Sequence, residues 1–430
     1  MFSIQYFVAA VMVLLLGIVL GHSRADIPAL VCDTATPMPA TLTEIRGMYA
    51  THTLSVFKKD DGCSLLVYAP RGLELIDGAR VLIDGKVERV ADAFTGLPGY
   101  VKFLQEDGVM LVARNPQITV EKQGVSKISQ ARRISMGAFT KLFGEPDAGI
   151  LIAMMVGDRG MIPREITDSF QKSGITHILS ISGFHVSLLA GVLVLMLWKL
   201  PLPAWVQYAV VGSMLWTYIV AIGAPPAAIR AGMFWTLVVV AYRMRALVGL
   251  PTIILLTLCA ILSFNPALVR SIGFQLSIAA VGGLGVGIFF FRRLHISSPL
   301  RPLALSLVVS LGATGATLPL TAHYFGNVSL IGILVNIIVI PLVALLMYVA
   351  LGALVVVLIW KPLGMALSFL VHVLMQLLLT VASAGASIPY GSFQNLIFPL
   401  WAVGAYYICC GALFIIALRV FRIRFREIWV

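Results

Sequence analysis

The chain has 430 residues, of which 59% are hydrophobic and only 12% are charged. Its mean hydropathy of +0.96 excludes an ordinary soluble domain, in which about a quarter of the residues are charged. The composition is that of a protein that crosses a membrane many times and carries one modest polar insert. The net charge of +12 has two interpretations: Lys and Arg that set topology from cytoplasmic loops, or a minority of arginines that guide a polyanion.

An apolar segment of spanning length, 4–20, begins the chain. No Lys or Arg precedes it, and the sequence GHSRAD that follows is not a convincing cleavage site. We therefore expect residues 1–22 to form a retained transmembrane anchor. A cleaved signal peptide is the alternative.

Residues 26–122 form the polar insert, in which the hydrophobic period changes from helical to alternating. Asp60-Asp61-Gly62 and Asp84-Gly85 are typical of hairpin turns. Five short strands suit a small barrel, and we expect an all-β OB-like domain. The predicted strands are 42–49, 53–58, 64–69, 80–90 and 109–120.

Four aromatic residues of the insert lie near basic residues, as in OB folds that bind single strands by base stacking. They are Tyr49, Phe57, Tyr68 and Tyr100. The competing interpretation, which we favour, is that these rings fill a small core.

Two of the five cysteines, Cys32 and Cys63, lie in the insert. They form a disulfide if the insert lies outside the cytoplasm, and free thiols are the alternative. The other three lie in apolar runs and are expected to pack as small hydrophobic side chains. No spacing of metal ligands is visible, so we expect neither a metal nor a cofactor.

Residues 126–174 place apolar and basic side chains at helical spacing, with Arg132 and Arg133 among them. Ile150, Ile152 and Met155 continue the apolar series. The pattern predicts amphipathic helices that lie on the membrane surface. Asp158 and Arg159 are expected to form a local pair there.

Residues 175–418 form the membrane domain, which gives about ten spanning segments when the anchor is included. The segment 331–360 is too long for one plain crossing, and Pro341 divides it, so we expect its first half to be re-entrant or broken. The nine predicted segments are 175–198, 204–222, 227–242, 250–264, 272–291, 303–320, 331–360, 363–384 and 396–418.

Clusters of Lys and Arg fall at alternate ends of successive segments, which places all of them on one side of the membrane. The positive-inside rule assigns that side to the cytoplasm. Both termini, including the basic tail 419–430, are then cytoplasmic, and the OB-like insert is extracytoplasmic. The clusters are Lys199, Arg243 with Arg245, Arg292 with Arg293 and Arg301, Lys361, and Arg419, Arg422, Arg424 and Arg426.

Several polar side chains interrupt the apolar segments. Such groups usually face a protein interior or a water-filled path. If the stretch 177–191 is one helix, Ser182 and His185 share a face, and His177 lies two turns earlier on nearly the same face. The candidates to line a path are His177, Ser180, Ser182, His185, Arg230, Gln275, Ser277, His323 and Asn336.

Arg230 is the most informative of these charges, because it lies just inside an apolar segment. One interpretation is that its side chain extends to the outer interface. The other is a contact with phosphate, whose geometry the guanidinium group matches.

The chain resembles the ComEC family of competence membrane channels through a series of motifs in the family's order. They are GDR at 157–159, HILSISGFHVSLLAG at 177–191, PPAAIRAGMF at 225–234, NP at 265–266, GFQLSIAAVGGL at 273–284, and TLPLTAHYFGNVSLIGILVNIIVIPL at 317–342. The resemblance implies a bacterial inner-membrane conduit for single-stranded DNA in natural transformation. It also implies an OB-like N-terminal region, and an entrance shaped by Asp158 and Arg159, with Arg132 and Arg133 beside it.

The same resemblance suggests partners. The chain has no nucleotide-binding loop of the GxxxxGK type, so the force for transport would come from elsewhere. A cytoplasmic helicase-like motor and an extracytoplasmic DNA receptor are expected. Many family members carry a metallo-β-lactamase-like domain, but no HxHxDH-type run occurs here. We therefore expect no enzyme activity in this sequence. A nuclease would be a separate protein or absent if the sequence is complete, and would follow the cytoplasmic tail if it is a fragment.

Two other classes of function stay open. Ser182 and His185 could be the nucleophile and base of an intramembrane hydrolase, although no acidic residue lies within the predicted spans to orient the histidine. A secondary transporter of a small anionic solute would fit broken helices and polar residues at mid-membrane. We find neither an internal repeat nor an intramembrane carboxylate to support it.

Overall fold

The computed structural model describes residues 32, 34–48, 52–60, 63–70, 79–94, 101, 104–105, 109–122, 127–245, 250–264, 268–269, 271–292, 300–394, 396 and 398–420. A β domain precedes a helical bundle. The strands are β1 (Met38–Met48), β2 (His52–Lys59), β3 (Ser64–Pro70), β4 (Arg80–Asp84), β5 (Val87–Arg89), β6 (Val109–Arg114), β7 (Gln117–Lys122), β8 (Val328–Ser329) and β9 (Ser392–Phe393).

The helices follow largely after β7. They are α1 (Val90–Ala93), α2 (Lys127–Phe143), α3 (Asp147–Met155), α4 (Arg164–Lys172), a 3₁₀ turn (Thr176–Leu179), α5 (Gly183–Leu197), α6 (Ala204–Ala221), α7 (Pro226–Arg243), α8 (Leu250–Phe264), α9 (Ile272–Phe291), α10 (Arg301–Phe325), α11 (Gly332–Ile359), α12 (Lys361–Ser387) and α13 (Leu400–Val420). The small pair β8–β9 joins the loops before α11 and after α12.

The strands of the β domain pair in a closed circuit. β1 pairs with β2 and β4, and β2 with β3, all antiparallel, whereas β3 and β6 are parallel. Only two residues separate β4 from β5, and two separate β6 from β7. Because β4 pairs with β7 and β5 with β6, each of these two pairs of segments acts as one bent strand. The circuit therefore contains five strands.

The predicted hairpin at Asp84-Gly85 is wrong. Gly85 has a φ of +151° and makes a bend between β4 and β5, which do not pair with each other. A Cβ on Gly85 would lie 3.0 Å from Cα of Pro116, in the facing bend between β6 and β7. Alternation alone cannot separate a hairpin from a bend, because both interrupt the strand with the same residue types.

Both faces of the β2–β3–β6 region are covered. Phe57 is fully buried inside the circuit, and Val56 and Leu66 are buried on the outside against Val90 and Leu104. Phe57 therefore fills the core and cannot stack on a base. Tyr68 packs against the outer cluster, while Tyr49 and Tyr100 lie outside the described residues. A disulfide joins Cys32 to Cys63.

In the described part of the chain, five helices are long and apolar enough to cross a membrane, which identifies a membrane protein. They are α6, α9, α10, α11 and α12. Shorter apolar helices occur at Gly183–Leu197, Thr252–Ser263 and Leu400–Phe414. The predicted span 4–20 lies outside the described residues, as do residues 421–430 of the predicted tail.

Two prolines lie inside spanning helices without ending them. α11 runs through Pro341, so the prediction of a broken or re-entrant first half is wrong. Pro341 itself is exposed, while its neighbours Val339, Leu342 and Val343 are buried. In α10, Pro319 has no N–H to donate to the Gly315 carbonyl. The Tyr406 hydroxyl of α13 donates to that oxygen at 2.8 Å.

Helix α3 corrects the expectation of a surface helix at 147–155. All nine of its residues are buried, and seven of them belong to the largest apolar cluster among the described residues. Side chains of α11 and α12 complete that cluster, among them Val339, Leu346 and Met375. The spacing of apolar residues predicted a helix here. It could not show that other helices cover the face expected to be exposed.

Helices α9 and α10 pack closely against each other at glycine residues. A Cβ on Gly283 would clash with the Gly312 carbonyl oxygen. A Cβ on Gly287 would lie 2.9 Å from the Val308 carbonyl oxygen. Gly282 and Gly285 have open space instead. Small residues allow such close approach of membrane helices.

We expect Gly283→Ala to destabilise the purified protein by about 1–3 kcal/mol, because the added methyl group forces the two helices apart. Gly282→Ala is the matched control and should be neutral or slightly stabilising, since alanine favours a helix and the site is open. Thermal unfolding in detergent measures both. Equal melting temperatures for the two variants would contradict this packing.

Candidate functional site

One end of the helical bundle collects most of the residues predicted to line a path. α5, α7, α9 and α11 begin there, and α4, α10 and α12 end there. Gly183 approaches Ala231, where an added Cβ would lie 4.0 Å from the alanine, and Gly174 packs against Gly332. We call this the polar end, defined by Ser182, His185, Arg230, Gln275, Ser277, His323, Tyr324 and Asn336.

Arg230 joins two helices at the polar end. Its Nε donates to Ser277 Oγ at 3.2 Å, and its Nη2 donates to the Gly273 carbonyl at 3.2 Å. Both acceptors are neutral, and no described carboxylate lies within 4.0 Å of the guanidinium. The structure thus brings the predicted residues Arg230 and Ser277 together and leaves the positive charge uncompensated by the described residues.

Gln275 and His323 make structural contacts. Gln275 Nε2 donates to the Val269 carbonyl at 3.1 Å, and Oε1 accepts from the Tyr324 hydroxyl at 2.9 Å. His323 Nδ1 bonds the Phe398 carbonyl at 2.7 Å, which requires the proton to be on Nδ1. These bonds tie α9 to α10 and α10 to the loop before α13.

The stretch 177–191 is not one helix. His177 lies in the 3₁₀ turn, Ser180 is extended, and α5 begins at Gly183. His177 and His185 therefore do not lie on a common helix face. Ser180 Oγ donates to the His177 carbonyl at 3.0 Å, which stabilises the turn.

Ser182 and His185 form a capping box at the start of α5. His185 Nδ1 accepts from the Ser182 N–H at 3.2 Å and lies 2.9 Å from Ser182 Oγ. Since Nδ1 is an acceptor, the proton of the neutral ring is on Nε2. Nε2 is buried and has no partner among the described residues, so no carboxylate there orients the ring as a hydrolase would need.

Substitution of Ser182 tests the cap. Ser182→Asn should keep the stability of the parent, because asparagine is also a good N-cap, whereas Ser182→Ala should lose about 1 kcal/mol. Thermal unfolding in detergent measures both variants. An alanine variant as stable as the parent would contradict the capping role of Ser182.

The predicted entrance residues bind the backbone. Asp158 Oδ1 accepts from Gly160 N–H at 2.8 Å, and Arg159 Nε donates to the Leu179 carbonyl at 2.8 Å. Arg159 thereby ties the loop after α3 to the 3₁₀ turn. The side chains of Arg132 and Arg133 lie outside the described residues.

Asn336 is buried in α11. Its Oδ1 has no hydrogen-bond partner in the described part of the chain. The residue is therefore enclosed by the bundle and does not border an open surface.

A carboxylate–histidine pair was missed by sequence reasoning. Asp147, at the start of α3, is 3% exposed, and its Oδ2 lies 2.6 Å from Nδ1 of His372 on spanning helix α12. The two residues are 225 positions apart, and the only signal was a lone histidine within a long apolar run.

We expect His372→Ala to destabilise the protein by roughly 1–3 kcal/mol, because it leaves the buried Asp147 carboxylate without its donor. Adding Asp147→Asn should recover part of the loss, since it removes the negative charge. Thermal unfolding of the two single variants and the double variant in detergent measures the coupling. Additive losses would contradict a direct interaction.

Comparison with known proteins covers the membrane domain. The family model described as "Competence protein" matches residues 154–420. ComE operon protein 3 of Bacillus subtilis (strain 168) is 31% identical over 209 residues, which are 47% of this chain and 26% of that protein. The match therefore covers about a quarter of the length of this relative. No solved structure matches.

Proposed function

The chain belongs to the competence protein family, and we propose that it is a bacterial inner-membrane conduit through which single-stranded DNA enters the cell. The observation that carries this proposal is Arg230, a cation held by two neutral acceptors at the polar end of the bundle. An arginine so placed matches the charge and the geometry of a phosphate group.

A path lined by few arginines suits the passage of DNA better than a path lined by many. Each phosphate contact releases counterions and strengthens binding, so a densely basic lining would hold the strand. A path must bind weakly enough to let its cargo leave. At the polar end, the other predicted residues are neutral hydroxyl, amide and imidazole groups.

The topology proposed from charge agrees with the helix ends. Lys199, Arg243, Arg292, Arg301 and Lys361 lie at the opposite end of the bundle from Arg230, where α5, α7 and α9 end and α10 and α12 begin. By the positive-inside rule this opposite end is cytoplasmic, and the polar end faces outward. Both chain termini would then be cytoplasmic, and the β domain extracytoplasmic.

The five-stranded circuit supports the assignment of an OB-like fold. OB folds bind oligonucleotides on the face of their second and third strands. Here the outer side of that face is covered by Val90 and Leu104. We therefore assign the domain a role in positioning the entrance or docking a DNA receptor, instead of base stacking.

The remaining partners follow from what the transport needs. Lipid surrounds the spanning helices, and a cytoplasmic helicase-like motor would pull the strand. An extracytoplasmic receptor would deliver the DNA.

Uptake of labelled DNA tests the proposal directly. In a competent host, deletion of the gene should abolish label that is single-stranded and protected from external nuclease, and restoration should recover it. Unchanged uptake after deletion would refute the conduit and direct attention to transport of small anionic solutes.

Arg230→Ala should lower this uptake by at least about tenfold, which corresponds to 1.4 kcal/mol in an equilibrium or a barrier. His185→Ala should also lower it, because the start of α5 loses its cap. Arg243→Ala is the control, since that side chain stacks on Trp205 at the opposite end. Normal uptake with Arg230→Ala, at equal membrane levels, would remove Arg230 from the path.

A further inference from the structure

Helix α12 carries a polar stripe along an exposed face. Six residues recur every three or four positions, so they stack one turn above another. They are Ser368, His372, Gln376, Thr380, Ser383 and Ser387. All but the half-buried Ser368 are exposed.

The stripe is long and narrow. At 100° per residue the six side chains fall within about 120° of the helix circumference. Its length, at 1.5 Å per residue, is about 28 Å, close to the thickness of the hydrocarbon core. Next to it lies a second exposed face that is apolar, with Val373 at 46% and Leu377 at 49% exposure. The helix thus has a mainly polar exposed side, interrupted near its start by the exposed Phe369, beside an apolar exposed side.

Gln376 and His372 indicate which environment the stripe faces. The four hydroxyl groups donate to carbonyls of their own helix, so they would tolerate lipid. The Gln376 amide has no hydrogen-bond partner in the described part of the chain, and the His372 side chain is 51% exposed. An amide in hydrocarbon without partners is costly. Lipid is therefore a poor environment for this side of α12.

A buried acid lies behind the stripe. Asp147 holds His372 through Oδ2, while its Oδ1 is buried and has no partner among the described residues. The neighbouring helix α11 provides a contrast, because its exposed side chains are apolar, including Leu334, Ile338 and Leu345. The polar groups are thus concentrated on α12 and on the residue that contacts it.

We propose that the polar stripe of α12 borders a water-filled passage through the membrane. This inference rests on the proposed function and extends it. The DNA strand would first meet the polar end and then pass along the stripe. The stripe offers the Gln376 amide as donor and acceptor, and its hydroxyl oxygens as acceptors, at successive depths of the bilayer. Its one imidazole is paired with Asp147, so the wall adds no unpaired negative charge that would repel phosphate.

Cysteine accessibility tests the passage. In the full chain, Cys259, Cys409 and Cys410 are replaced by Ala, and Gln376→Cys, Thr380→Cys and Ser383→Cys are made singly. Val373→Cys and Leu377→Cys are the matched controls on the same helix. The probe is a membrane-impermeant methanethiosulfonate that carries a sulfonate, applied to membrane vesicles of both orientations.

We expect the three stripe cysteines to react at least about tenfold faster than the two controls, because the reactive thiolate forms in water and not in hydrocarbon. Rates equal to the controls would overturn the passage and indicate cover by lipid or by another protein. The labelling requires no DNA. If the stripe is inert while Arg230→Ala still loses uptake, only this inference fails; if the stripe reacts while gene deletion leaves uptake unchanged, only the proposed function fails.

Discussion

A polar group within a bilayer needs a partner, and this requirement governs the membrane domain. The carbonyl that Pro319 leaves without a donor is satisfied by Tyr406, which also holds α13 against α10. The guanidinium of Arg230 is held by Ser277 and a helix carbonyl, and these bonds join α7 to α9. In each case the polar group bonds to a partner on a neighbouring helix and so joins the two helices. The polar contacts therefore fix which helices are neighbours, while apolar side chains fill the space between them.

The same requirement separates contacts that stabilise the fold from groups that remain for a substrate. Gln275, His323 and Ser182 use their polar atoms on the protein itself. Arg230 and Gln376 keep hydrogen-bonding groups that the described residues do not use. The proposed conduit would need both kinds, because its wall must be rigid and still offer weak contacts to a moving chain.

Sequence patterns predicted the helices that have long apolar runs and the family to which the chain belongs. The sequence could not tell that Gly283 of α9 lies against α10 and Gly282 does not. The stretch 177–191 was misread because an apolar run hides a change from 3₁₀ turn to extended chain to helix. Local pattern determines local structure; the pairing of Asp147 with His372 depends on contacts across 225 residues and leaves no local trace.

The enclosure of α3 has a consequence for biogenesis. The apolar cluster that encloses α3 includes many side chains from residues 335–382, which are synthesised long after α3 itself. Until those last helices insert, eight apolar residues and one carboxylate of α3 have no finished environment. The middle of the membrane domain therefore closes late, and a chain halted before α11 exposes α3 to chaperones and proteases. Quality control in the cell can thus distinguish a complete membrane domain from an incomplete one by the exposure of a single short helix.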